Sequence, residues 1–167
     1  MRYAKIMYND VVDTDAGICV SVWLQGCPFR CKGCHNPDTW DFNGGIETDE
    51  SALIEDIMGA LEKNGISRNL SILGGEPLCA ENLNFTKKIL QLTKKVFPNK
   101  KVYIWTGFEF HQLQQNSKYN FILDNADVLI TGPFILEQRD ITLPLRGSKN
   151  QQVWRKDKNN KLTLSKK

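Results

Sequence analysis

A chain of 167 residues with 41% hydrophobic and 25% charged side chains is long enough to bury a core and has the balance of a water-soluble globular protein. No apolar run approaches the ~20 residues that a membrane-spanning helix needs. The N-terminal MRYAKIMYND lacks the apolar stretch of a secretory leader, so a single cytoplasmic domain over 1–167 with no membrane partner is expected. The net charge of +3 conceals an asymmetry: residues 146–167 carry eight basic residues against Asp157, a local charge of +7 that leaves −4 on the other 145 residues. A basic tail from about Trp154 is therefore expected, either solvated or docked on an acidic partner. It shows none of the repeated alternation of aromatic and basic residues of a nucleic-acid module, so nucleic acid is not an expected partner. Five cysteines, an odd number and clustered, do not form a disulfide framework; in a reducing compartment such spacing points to a metal.

In chain order, residues 18–24 (ICVSVWL) are apolar on both faces and rich in β-branched types, the pattern of a strand covered on both sides. The cysteine loop follows. A helix is expected from Thr48 as N-cap, with Asp49 and Glu50 at the positive end of its dipole. Its stripe is Leu53, Ile54, Ile57, Met58 and Leu61, and Gly65 is its stop signal. NLSIL at 69–73 is a short strand opening into Gly74-Gly75-Glu76-Pro77. A second helix is expected over roughly 80–97, with Phe85, Ile89, Leu92 and Val96 on its apolar face and Pro98 preventing continuation. Then come KVYIW at 101–105, a short polar helix near 109–117, and DVLI at 127–130.

Alternating strands and helices of these lengths imply an α/β fold with right-handed crossovers and a mainly parallel sheet. Four or five such units are too few for a closed eight-stranded barrel of ~250 residues. A partial (β/α) barrel or curved open sheet is expected, with its active site at the C-terminal ends of the strands. The cysteine loop and the Gly-Gly-Glu-Pro turn would then share one cleft.

Cys27, Cys31 and Cys34 follow the pattern Cys-x-x-x-Cys-x-x-Cys. Three thiolates hold a metal centre without saturating it. Structural zinc takes four protein ligands and simple ferredoxin clusters take four cysteines. The spacing favours an iron–sulfur cluster with one open position and leaves zinc open, with His35 or His111 as a fourth ligand. Gly74 and Gly75 allow close approach of the backbone to a ligand, and Glu76 offers a carboxylate to a cation. A lone Gly-Gly also occurs in ordinary strand-to-helix turns; its place one βα unit after the cysteines makes it informative.

Together these two motifs resemble the radical S-adenosylmethionine superfamily. The resemblance implies that Cys27, Cys31 and Cys34 hold a [4Fe–4S] cluster whose free iron chelates S-adenosyl-L-methionine. It also implies that Gly74, Gly75 and Glu76 secure the methionine ammonium. The residue before the last cysteine is often aromatic in that superfamily and lines the adenine site; here it is Gly33, so adenine would rest on backbone around Gly33, Cys34 and His35 or on apolar residues elsewhere.

Within the superfamily, Cys34-His35-Asn36-Pro37-Asp38-Thr39-Trp40-Asp41 resembles the activases of glycyl-radical enzymes. Trp105-Thr106-Gly107, Gly132-Pro133-Phe134, Arg139-Asp140 and Arg146-Gly147-Ser148-Lys149-Asn150-Gln151 resemble, more narrowly, the activases of anaerobic ribonucleoside-triphosphate reductase. The resemblance runs to about Val153. It implies reductive cleavage of S-adenosylmethionine and a 5′-deoxyadenosyl radical that takes hydrogen from a glycine of the large reductase chain. An electron donor such as flavodoxin or a thioredoxin-type system is implied too, and no catalytic residue beyond cluster and cofactor.

Two alternatives stand beside it. One is another small enzyme of the superfamily, a different glycyl-radical activase or a deazaguanine-forming synthase. The other is a non-catalytic metal or iron–sulfur module. Cys19 and Cys79 read as core residues, His111 as solvated, and Trp23, Trp40 and Trp105 as core or cleft wall. Asp13 and Asp15 form no recognisable carboxylate pair in the sequence.

Overall fold

A computed structural model describes residues 1–165. Its strands are β1 (Arg2–Asp10), β2 (Cys19–Leu24), β3 (Ile46–Glu47), β4 (Asn69–Gly74), β5 (Val102–Thr106), β6 (Val128–Thr131), β7 (Gln152–Lys156) and β8 (Leu162–Leu164). Four helices join them: α1 (Glu50–Ala60), α2 (Ala80–Val96), α3 (Phe110–Gln114) and α4 (Asn120–Asn125). All eight strands form one sheet in the order β3-β1-β2-β4-β5-β6-β7-β8. The central run β2-β4-β5-β6 is parallel, and both flanks are antiparallel. The fold is therefore α/β with a mixed sheet, and the expected parallel arrangement holds at its centre.

Strand alternation sorts the core. Val20, Val22 and Leu24 of β2 join Leu70, Ile72, Val102, Ile104 and Leu129 in one cluster with the apolar faces of the helices. The intervening residues Cys19, Ser21 and Trp23 are also buried, on the opposite face. That face carries no helix residue in its small apolar cluster of Tyr103, Val128, Ile130 and Val153. It is covered instead by loops. The 11–18 segment crosses it, held by Ser71 Oγ donating to the Asp13 carbonyl (2.6 Å), Asn69 Nδ2 to the Ala16 carbonyl (2.7 Å) and Tyr103 Oη to the Asp15 carboxylate (2.7 Å).

Three local expectations change. The N-cap of α1 is Asp49, whose carboxylate accepts from the Ala52 amide at 3.0 Å; Thr48 lies one residue outside. The helix stops at Ala60, well before Gly65. Its last carbonyls are taken by two buried cations that arrive from elsewhere in the chain. Arg68 donates to the carbonyls of Ala60, Lys63 and Ile66 at 2.9–3.1 Å, and Lys100 donates to that of Leu61 at 3.0 Å. Side chains thus satisfy the orphan carbonyls of the helix end.

The buried face of α2 is rotated from the expected stripe. Phe85 and Ile89 are buried, but Val96 is 54% exposed. Thr86 and Thr93 take the inward positions, Thr86 donating to the Pro77 carbonyl at 2.8 Å.

The basic segment after Trp154 is not a free tail through the described residues. Gln152–Lys156 pairs antiparallel with β6, and Leu162–Leu164 pairs with Gln152–Lys156. Arg155 bonds the Asp15 carboxylate at 2.5 Å, and Lys156 donates to the Asp124 carbonyl at 2.7 Å. Lysines on an outer hairpin also discourage edge-to-edge pairing. Lys166 and Lys167 lie outside the described residues. Among the described residues, no helix is long and apolar enough to cross a membrane.

Because β2, β4, β5 and β6 run parallel, the segments after them (25–45, 75–79, 107–109 and 132–151) emerge on one sheet edge.

Candidate metal centre

The cysteine loop is closed at its base. The Gly26 amide donates to the Thr39 carbonyl (2.9 Å) and the Cys27 amide to that of Trp40 (3.2 Å). Gln25 Nε2 donates to the carbonyls of Asp38 (2.8 Å) and Asp41 (2.7 Å). Between these ends, Cys27, Phe29, Cys31, Gly33 and Cys34 line a cleft of about 450 Å³. The three thiols are free and half-buried. Burial pushes the Cys27 and Cys31 thiols up from the usual cysteine value. They therefore stay protonated until a metal displaces the proton. The Asn36 amide donates to Cys34 Sγ at 3.4 Å, an N–H···S bond that orients the sulfur.

Gly33 has φ +75, and a Cβ there would stand 2.8 Å from Leu136 Cδ1. The left-handed backbone at this position favours glycine.

The Gly-Gly-Glu turn is interlocked with the base of this loop. The Gly75 amide donates to the Leu24 carbonyl and the Glu76 amide to that of Gly26, both at 2.8 Å. Gly74 has φ +102, a conformation suited to glycine. A Cβ on Gly75 would run into the Gly26 carbonyl oxygen. The glycines are thus demanded by the contact between two loops, in addition to any ligand.

Glu76 differs from the open carboxylate that the sequence expects. It is 1% exposed. Its Oε1 accepts from the Leu78 amide (2.9 Å) and Thr106 Oγ1 (2.7 Å), and its Oε2 from the Gly107 amide (2.7 Å). Burial raises its pKa to about 7 against the opposing pull of those three donors. Three of the ~four lone-pair sites of a carboxylate are therefore committed, and Glu76 ties the turn after β4 to the turn after β5.

The facing wall comes from 132–151, and its brace is Gln151. Gln151 Oε1 accepts from the amides of Gly147 (2.8 Å) and Ser148 (3.2 Å), while Nε2 donates to the Gly132 carbonyl at 3.1 Å. Asn150 Nδ2 donates to the Pro133 carbonyl (2.7 Å), and Trp105 Nε1 to that of Leu145 (2.7 Å). Trp23, Trp40, Trp105 and Phe134 give the cleft aromatic walls.

The cleft collects Cys27, Cys31, Cys34, Gly33, His35, Gly74, Gly75 and Glu76. Cys19 and Cys79 are buried outside it, and His111 is exposed beside Glu109, Nδ1 to Oε2 at 3.1 Å.

One cleft residue escapes a reading of the sequence. Asp13 lines the cleft and pairs with Asp10, which also accepts from Ser21 Oγ. Burial, then Asp10, raises Asp13 to about 7. The partner lies three residues back across an irregular turn, so no periodic spacing announces the pair.

Among the described residues, no three His, Cys, Asp or Glu side chains are arranged to hold a metal ion. The loop presents three separate thiols on one cleft wall. A cluster fits such a donor set because each thiolate binds a different iron.

Comparison with known proteins agrees with this donor set. A family described as a 4Fe-4S single cluster domain matches residues 15–154. The anaerobic ribonucleoside-triphosphate reductase-activating protein of Haemophilus influenzae is 33% identical over 156 residues, covering 93% of this chain and 98% of its own. The chain belongs to this family of reductase-activating proteins. The Vibrio cholerae member is 34% identical over 158 residues (93% and 98% of the two chains), and the Escherichia coli K12 member 31% over 154 (92% and 97%). The family match begins at Asp15 and ends at Trp154. It thus takes in the cysteine loop, the Gly-Gly-Glu turn and the braced 132–151 wall.

Proposed function

We propose that the chain is a radical S-adenosylmethionine oxidoreductase that activates an anaerobic ribonucleoside-triphosphate reductase by taking a hydrogen atom from a glycine of the large reductase chain. The observation that carries this reading is the meeting of three reduced cysteines and the Gly-Gly-Glu turn in one cleft, in a chain whose relatives are named as activators of that reductase. Cys27, Cys31 and Cys34 would hold a [4Fe–4S] cluster. When bound, the cluster and S-adenosylmethionine supply one-electron cleavage of the C5′–S bond and a carbon radical.

The chain's own residues bind, orient and shield. The Gly74–Glu76 turn holds the methionine ammonium through its backbone, and the buried Glu76 carboxylate fixes that turn and adds negative potential beside it. Backbone around Gly33, Cys34 and His35 supports the adenine. Trp23, Trp105 and Phe134 exclude water from a reactive radical. In hydrogen-atom abstraction the proton travels with its electron, so the site needs no general acid or base. The sheet acts as a partial barrel whose strand C-terminal ends carry the site, in a single domain working in the cytoplasm.

Anaerobic reconstitution with iron and sulfide, followed by dithionite and S-adenosylmethionine, tests the reading. It predicts 5′-deoxyadenosine. A non-catalytic iron–sulfur module yields none.

A further inference from the structure

The cysteine loop has two faces with different chemistry. Cys27, Phe29, Cys31 and Cys34 line the cleft, whereas Pro28, Arg30 and Lys32 are exposed and take no part in its lining. No carboxylate occurs between Asp15 and Asp38 in the chain. Neither Arg30 nor Lys32 forms an ion pair among the described residues. The ligand loop therefore exposes two cations, Arg30 and Lys32, on either side of Cys31 in the chain.

Arg30 also holds a left-handed backbone, φ 46. At the neighbouring left-handed positions the chain uses glycine, Gly26 at φ 93 and Gly33 at φ 75. Glycine at position 30 would meet the same backbone demand without the steric penalty of a Cβ. An exposed side chain gains nothing from packing that offsets such strain. Strain of this kind, kept at an exposed arginine inside a ligand loop, points to a use for the guanidinium outside the folded chain.

We infer that the Arg30–Lys32 face docks an acidic one-electron carrier protein, which delivers its electron through the loop while the cleft face stays open to S-adenosylmethionine and the reductase. The inference rests on the function proposed above. The carrier gives up one electron, the cluster gains one, and no bond or proton moves. The two-sided loop decides between occupants. A partner whose glycine must enter the cleft sits on the thiol side, whereas a partner that exchanges only an electron needs nothing but proximity. Complementary charge favours the acidic carrier and raises its encounter rate.

The test uses reconstituted protein and a flavodoxin of strongly negative net charge, reduced beforehand. Carrier affinity is measured by titration and cluster reduction by electron paramagnetic resonance. Arg30→Glu with Lys32→Glu should weaken carrier binding by about tenfold or more at low salt and flatten its dependence on ionic strength. Iron and sulfide content and the endpoint with excess dithionite should be unchanged. Arg30→Gly, which relieves the backbone strain, should melt no lower than the unaltered protein yet bind the carrier about threefold or more weakly. Carrier binding that is unchanged in the charge-reversed protein overturns the inference, as does absence of carrier binding by the unaltered protein. A selective loss of affinity for the large reductase chain overturns it too, by assigning the outer face to that partner. Failure of the underlying function looks different: the unaltered protein would form no cluster, or would give no 5′-deoxyadenosine with dithionite.

Discussion

Gly75 lies directly against the Gly26 carbonyl, so the turn after β4 and the base of the cysteine loop share one backbone contact with no room for a Cβ. The Glu76 amide donates to the same carbonyl at 2.8 Å. The two motifs that carry the site are therefore a single interlocked unit, and the geometry of one cannot change without the other.

That contact makes Gly75→Ala a structural lesion. Pushing two backbones apart in a packed site costs about 1–3 kcal/mol. The expected outcome is a lower thermal midpoint and a markedly reduced iron and sulfide content after reconstitution. Gly59→Ala is the control, since a Cβ at Gly59 inside α1 meets nothing within 4 Å. Alanine there should raise stability by about 0.5–1 kcal/mol. Equal melting of both variants would contradict the interlock.

Glu76 gives a pH signature in the metal-free protein. Its folded pKa of about 7 stands above the ordinary glutamate value of 4.5, so between those values the folded state binds the proton more tightly than the unfolded state. Stability from this group is fully present below about pH 4.5 and is lost as pH rises toward 7. Asp13, raised to about 7, acts with the same sign over a similar window. Denaturant midpoints measured from pH 4.5 to 8 should show the decline, and Asp13→Asn and Glu76→Gln should each flatten it.

Glu76→Gln should also be less stable at low pH. Three donors point at the carboxylate, and either orientation of an amide sets its NH₂ against the Leu78 or Gly107 amide, a conflict of about 1–3 kcal/mol. A midpoint for Glu76→Gln equal to that of the unaltered protein at pH 5 would count against the bracket.

The ligand set is checked by substitution. Cys27→Ala, Cys31→Ala and Cys34→Ala should each abolish the cluster's absorbance and iron content. Cys19→Ala, in the core with its Sγ 3.3 Å from Ser21 Oγ, should keep both. Loss of the cluster in Cys19→Ala together with its retention in Cys31→Ala would reverse the assignment.

What was legible in the sequence was chemistry carried by local pattern. The apolar runs of β2, β4, β5 and β6, the cysteine spacing and the glycine pair each state their role within a few residues. What was not legible depends on distant partners. The end of α1 is set by Arg68 and Lys100, which no helix-stop signal announces. The β7–β8 hairpin is masked by its lysines, which read as a solvated tail until Gln152–Lys156 is seen paired with β6. Glu76 reads as an available carboxylate until Thr106 and Gly107 arrive from the next βα unit to occupy it. Asp13 becomes part of the cleft only because the 11–18 segment folds across the sheet and burial couples it to Asp10.

The most direct measurement mixes the reconstituted, reduced protein anaerobically with the large reductase chain and S-adenosylmethionine, then records the electron paramagnetic resonance spectrum. The account predicts a glycyl-radical doublet on the large chain that appears only with S-adenosylmethionine present and is absent with Cys31→Ala. A fully loaded, fully reduced cluster that yields 5′-deoxyadenosine but never that doublet would contradict the proposed target.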